Sequence, residues 1–92
     1  MSFWVYILQS ETTGRHYCGS TSDVQRRLRQ HNDPEYRLSK TTKRFKGPWV
    51  VRWTRECATR SESMNLEKKI KKRGISRYLS EAQLVESRLQ RD

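Results

Sequence analysis

Several residues able to bind metal, phosphate or a proton fall on what should be the inward side of two helical stretches. In RSESMNLEKKIKKRG, residues 60–74, a wheel at 100° per residue with Leu66 at zero puts Ile70 at about 40° and Met64 at about 160°. Glu67 falls between them, at about 100°, so it faces the body of the protein or the lip of a cleft. A carboxylate in that position needs a cation, and a hard metal ion is one candidate. The plainer partner is Lys71, at about 140° and four residues on, in the favoured Glu-before-Lys order for a helical ion pair. Lys68, Lys69 and Lys72 fall on the opposite, solvent side.

The stretch DVQRRLRQHN, residues 23–32, shows the same anomaly with opposite charge. With Val24 at zero, Leu28 lies at about 40°, His31 at about 340° and Arg27 at about 300°. Arg27 and His31 thus border the apolar stripe, one turn apart. A guanidinium at a cleft edge can hold a phosphate in a bidentate fork. For His31 the plainer role is a last-turn residue interacting with the helix dipole. Arg26 and Arg29 point elsewhere, to solvent or to phosphate. Tyr6 lies within an apolar run and reads as core on its own. Tyr17 sits near a strand end, shortly before this helix, where it can deliver a phenol to the same cleft as Arg27.

The elements that must position these groups are legible from patterning. FWVYIL (3–8) is a short apolar run that reads as a buried strand. QSETTG (9–14) is a turn, and RHYCG (15–19) returns as a second strand, making a hairpin. Ser22 with Gln25 offers a capping box for a helix from about Asp23 to Asn32. Asn32-Asp33-Pro34 ends it. A basic irregular segment follows, with Arg37, Lys40, Lys43, Arg44 and Lys46. WVVRWT (49–54) reads as a third strand. Thr59 with Glu62 caps a second helix over Arg60–Arg73, which Gly74 stops. Tyr78, Ala82, Val85 and Leu89 recur at helical spacing and predict a third helix. The expected fold class is α/β (α+β): order ββαβαα, a small mixed three-stranded sheet flanked by about three helices, in one domain over residues 1–92.

The chain has 92 residues, with 20 Lys and Arg against 10 Asp and Glu, a formal charge of +10. Self-repulsion of that size calls for an anionic partner, and nucleic acid is the usual one for a basic domain. A membrane partner is not expected, since no apolar run approaches the roughly 20 residues a span requires and neither a myristoylation motif nor a signal-peptide layout is visible. A cytoplasmic location follows as an expectation, with Cys18 and Cys57 as reduced thiols. Two Cys without CxxC spacing and two His argue against zinc.

WVY at 4–6 and YCG at 17–19 resemble the two signature tripeptides of the GIY-YIG nuclease superfamily. GSTSDVQRRLRQHN at 19–32 resembles its G-x-T-x-D-hydrophobic-x-x-R-hydrophobic-x-x-H-N continuation, and residues 60–74 its helix with a single acidic residue. The resemblance spans about residues 3–80 and is strongest to short stand-alone bacterial members. Trp4, Val5 and Cys18 depart from the tripeptides, while both tyrosines remain.

This resemblance implies an endonuclease that hydrolyses phosphodiester bonds, with DNA the expected substrate and one divalent cation, Mg²⁺, as cofactor. It implies Glu67 as metal ligand, Arg27 on the scissile phosphate, and Tyr17 or Tyr6 activating or orienting the attacking water. His31 would assist a tyrosine or orient it. Arg26, Arg37, Lys40, Lys43, Arg44, Lys46 and Lys71 would contact the nucleic-acid backbone. A monomer or weak dimer is expected. The competing reading is a non-catalytic nucleic-acid-binding module on the same fold, which would have no need of Glu67.

Overall fold

A computed structural model describes residues 2–33 and 48–89, with side chains as far as residue 83. The elements are β1 (Phe3–Ser10), β2 (His16–Thr21), α1 (Val24–Asn32), β3 (Trp49–Cys57), α2 (Arg60–Arg73) and α3 (Ile75–Leu89). The order ββαβαα is the one patterning predicts, although β1, β2 and β3 each run two or three residues beyond their expected ends. No helix among the described residues is long and apolar enough to cross a membrane.

The sheet order is β2-β1-β3, with β1 in the centre. Both pairings are antiparallel, where a mixed sheet was expected. Chain geometry explains the difference. β2 ends opposite Trp4, near the start of β1. The nine residues of α1, about 13 Å of helix, carry the chain back along β1. There β3 begins, with Trp49 opposite Ser10, and can only run antiparallel to β1.

β1 is buried on both faces, which is why its sequence is apolar without alternation. Val5 and Ile7 enter a cluster with Cys18, Cys57, Ile70 and Leu79, against α2 and α3. Trp53 and Tyr78 close its margin edge-to-face, ring centroids 5.3 Å apart. Tyr6 and Leu8 enter a second cluster with Trp49, flanked by Tyr17, Val24, Leu28 and Val51. The two cysteines are buried and unbridged, as expected of reduced thiols.

β3 serves both clusters because of a bulge. Ile7 pairs with Trp53 but Leu8 pairs with Val51, leaving Arg52 as the extra residue. Alternation flips there, so Trp49 and Val51 pack on one face of the sheet and Trp53 and Cys57 on the other.

The helix caps differ from expectation in one place. Asp23, not Ser22, caps α1 and accepts from the Arg26 N–H at 3.0 Å. Thr21 sets this frame, its hydroxyl oxygen accepting from the Asp23 N–H at 3.1 Å. At α2 the predicted pair is present: Thr59 accepts from the Glu62 N–H at 3.2 Å, while Glu62 reaches back to the Ala58 N–H at 3.1 Å. Gly74, at φ 101°, ends the helix in a conformation that side chains disfavour. Met64, placed by its wheel angle on the inward flank of α2, is instead 43% exposed. The inward arc is narrower than the wheel implied: Ser63 and Ile70 are its fully buried members.

Candidate active site

The alternation of β1 turns Tyr6 toward α1, directly opposite Gly19 of β2. A β-carbon at position 19 would lie 2.6 Å from Tyr6 Oη and 2.8 Å from Cζ. Gly19 is therefore required by the close approach of the phenol. Tyr17, two residues back on the same face of β2, brings its ring centroid to 6.2 Å from that of Tyr6.

α1 supplies the groups that meet these rings. His31 is buried at 3% exposure, with its ring centroid 4.8 Å from Tyr17 and 5.9 Å from Tyr6. Its Nε2 lies 2.9 Å from Tyr6 Oη. Arg27, one turn earlier and half-buried, also hydrogen-bonds the Tyr6 phenol and donates to Gln30 Oε1 at 3.0 Å. A guanidinium can only donate. The phenol oxygen can therefore accept from Arg27 while it shares a proton with His31 Nε2, the direction of that second bond following the imidazole tautomer. Asn32 locks the end of α1 to β3: its side-chain amide donates to the Trp49 carbonyl at 3.0 Å and its oxygen accepts from the Trp49 N–H at 2.7 Å.

Glu67 approaches from α2. One carboxylate oxygen accepts from the Ser20 hydroxyl at 3.4 Å, a long contact, and the other pairs with Lys71 at 3.1 Å. The Glu67 side chain is 21% exposed against 51% for Lys71. Both readings of its wheel position thus hold: the carboxylate is turned inward, and the ion pair forms.

Electrostatics ties these groups together. Burial pushes the Tyr6 phenol well above its ordinary range, and the neighbouring Tyr17 and Glu67 add to this; Arg27 opposes it. Tyr6 is therefore held as a neutral phenol at neutral pH. Burial likewise pushes the Cys18 thiol up to about 12, with Glu67 adding to the shift and Lys71 opposing it.

Among the described residues no three His, Cys, Asp or Glu side chains cluster in a way that would hold a metal. A single carboxylate fits a hard divalent cation such as Mg²⁺, which keeps most of its waters and takes one or two carboxylates plus substrate phosphate. Glu67, partly exposed and held on one side only by a lysine, fits that single-ligand role.

The structure thus brings Tyr6, Tyr17, Arg27 and His31 into one cluster, with Glu67 in electrostatic reach across the edge strand. Arg26 is exposed on α1, away from the cluster face. Arg37, Lys40, Lys43, Arg44 and Lys46 lie outside the described residues. Gly19, Asn32 and Ser20 received no role from sequence; only their places in the G-x-T…H-N run and after the tyrosine tripeptide marked them.

Comparison with known proteins gives a consistent picture. The family model of the GIY-YIG catalytic domain matches residues 2–78. A UPF0213 protein of Halobacterium salinarum is 37% identical over 78 residues, covering 85% of this chain and 94% of the relative. Structure-specific endonuclease subunit SLX1 of Meyerozyma guilliermondii is 36% identical over 81 residues, but the chain spans only 28% of that protein. Among solved structures, the solution NMR structure of a UPF0213 protein from Bacillus halodurans matches with a TM-score of 0.54 at 27% identity, over 91% of this chain and 85% of the other.

Proposed function

Since the chain belongs to the GIY-YIG catalytic-domain family, we propose that it is an endonuclease that hydrolyses phosphodiester bonds of DNA, one strand at a time, as a monomer that uses one Mg²⁺ ion. The observation carrying this reading is the buried Tyr6–His31 hydrogen bond at 2.9 Å, with Arg27 on the same phenolic oxygen.

In this mechanism the attacking water gives its proton to Tyr6 Oη as Tyr6 passes its own to His31 Nε2. The new P–O bond forms in line with the one that breaks, and the leaving oxygen takes a proton from solvent. Tyr6 works as a relay, which suits a phenol that burial keeps protonated; the base that ends with the proton is His31. Tyr17, packed at a tilt with its ring centroid 4.8 Å from the imidazole, helps hold that ring in place. Arg27 neutralises charge building on the phosphate. Glu67 would hold the cation, which when bound stabilises charge on the phosphate and the leaving oxygen. DNA lacks a ribose 2′-hydroxyl, so its cleavage needs an external nucleophile of the kind this site would activate. The likeness to a protein named a structure-specific endonuclease subunit supports internal cutting.

The test is incubation with a panel of single-stranded, duplex and branched DNAs, and matching RNAs, with Mg²⁺ or with EDTA. The expected result is Mg²⁺-dependent nicking of DNA, reduced on the order of 10³-fold by Glu67→Gln with binding retained. Salt-sensitive binding without any Mg²⁺-dependent product would overturn the proposal in favour of a binding module. RNA-only products would overturn the substrate.

A further inference from the structure

β2 is one of the two edge strands of the sheet, and α2 lies beside it in the opposite direction. Three juxtapositions fix this. Arg60 and Ser63, at the start of α2, line one hollow with Ser20 and Thr21. Glu67 accepts from Ser20. Lys71, toward the end of α2, lines another hollow with His16, Tyr17 and Cys18. A seam therefore runs along the edge with Glu67 near its middle. Its length is about 12 Å from Ser63 to Lys71 by helical rise, and about 13 Å from Tyr17 to Thr21 by strand rise.

Each end of the seam opens into a hollow. The one beyond Glu67 toward Lys71 has about 500 Å³. The other has about 210 Å³ and is bounded by Phe3, Ser20, Thr21, Ser22, Arg60 and Ser63. This smaller hollow has room for about seven waters, and its lining residues include four that carry hydroxyls, one arginine and no acidic residue. Among the described residues Arg60 has no acidic partner; the two ion pairs are Lys71–Glu67 and Arg73–Glu81. The hydroxyls are partly committed, Ser63 donating to the Arg60 carbonyl at 2.8 Å and Ser20 to Glu67. The guanidinium is the group left to take a ligand, and its chemistry selects an oxyanion with paired oxygens.

We propose that this hollow is a subsite for a phosphate of the strand being cut, one linkage away from the scissile phosphate, with Arg60 as its clamp. Ser20 borders both this hollow and Glu67, so a phosphate seated on Arg60 belongs to the same strand as one beside Glu67. Arg60 is a binding residue: it holds the neighbouring phosphate equally in the ground state and the transition state, and so acts on KM. The proposal rests on the nuclease reading, but one arm of its test does not.

In the first arm, a cut strand receives an uncharged methylphosphonate at each linkage in turn. For the parent protein, neutralising one linkage adjacent to the cut is expected to raise KM about tenfold with kcat little changed. Arg60→Ala raises KM by a similar factor on the natural strand and is then insensitive to that linkage, the non-additivity of a shared contact. Arg60→Lys recovers part of the loss. Fully additive effects overturn the proposal. In the second arm, a 5′-phosphorylated trinucleotide is titrated in EDTA against ¹⁵N-labelled protein. Saturable shifts at the Arg60 Nε–H and the amides of Ser20–Ser22 are expected, lost in Arg60→Ala. Shifts confined to other residues overturn the subsite. Shifts at Arg60 in a protein that cuts no substrate would keep the subsite and defeat the nuclease reading.

Discussion

Val5 and Ile7 of β1 pack with Ile70 and Leu79 of α2 and α3 and with the thiols of Cys18 and Cys57, while Trp53 and Tyr78 lie at the margin. Tyr6 and Leu8, interleaved with them on the same strand, meet α1 through a surface that carries two phenols and an imidazole. Strand alternation alone divides these faces. The first holds the sheet to its helices by burial. The second pays part of its burial back to keep polar groups out of water, and each of those groups touches another: Tyr6 meets His31 and Arg27, and Tyr17 packs at a tilt against His31. A single central strand can thus carry both the core and a buried phenol, provided its neighbour has a glycine where the phenol crosses. The bulge at Arg52 gives β3 the same double duty.

The two faces should respond differently to substitution. Arg27→Ala should lower kcat on the order of 10²-fold, as loss of one donor to developing charge does. Its effect on the melting temperature should be small, because the side chain is only half-buried. Equal losses of activity and stability would blur the comparison. The apolar face should show itself at alkaline pH. The folded Cys18 thiol titrates near 12, from an ordinary 9.0, so the unfolded chain loses its proton first. Stability is then full below pH 9 and falls as pH rises above it, by about 1.4 kcal/mol per pH unit for this one group. Cys18→Val should flatten that slope, measured as melting temperature from pH 7 to 11. Ile70→Val, at a site with 0% exposure, should cost about 0.5–1.5 kcal/mol in denaturant titration, with the activity of the folded fraction unchanged.

Element order was readable because each helix and strand carries its own periodicity and stop signal. Their ends were less so. Ser22 and Asp23 are both good caps, and the choice between them was made by the Thr21 hydroxyl. The bulge at Arg52 left no mark in WVVRW, since apolar residues on both sides of a bulge look like a continuous buried run. In the site, a wheel sufficed to single out Glu67, Arg27 and His31, because a polar residue bordering an apolar stripe is conspicuous. The roles of Gly19 and Asn32 depend on the register of Tyr6 against β2 and on a contact 17 residues away along the chain. Neither is a local property. Met64 was misplaced because a wheel gives direction but not how far the neighbouring elements extend.

The central claim is that position 6 contributes a reacting oxygen and position 7 only packing. Tyr6→Phe removes one oxygen and leaves the ring, and Ile7→Val removes one methylene from the opposite face. Steady-state cleavage and thermal unfolding of both variants, side by side with the parent, test it directly. Tyr6→Phe should lose on the order of 10²-fold or more in kcat with a melting temperature within a few degrees of the parent, and Ile7→Val should lose about 0.5–1.5 kcal/mol of stability while cutting at the parent rate. A Tyr6→Phe protein that cuts as fast as the parent would contradict the account.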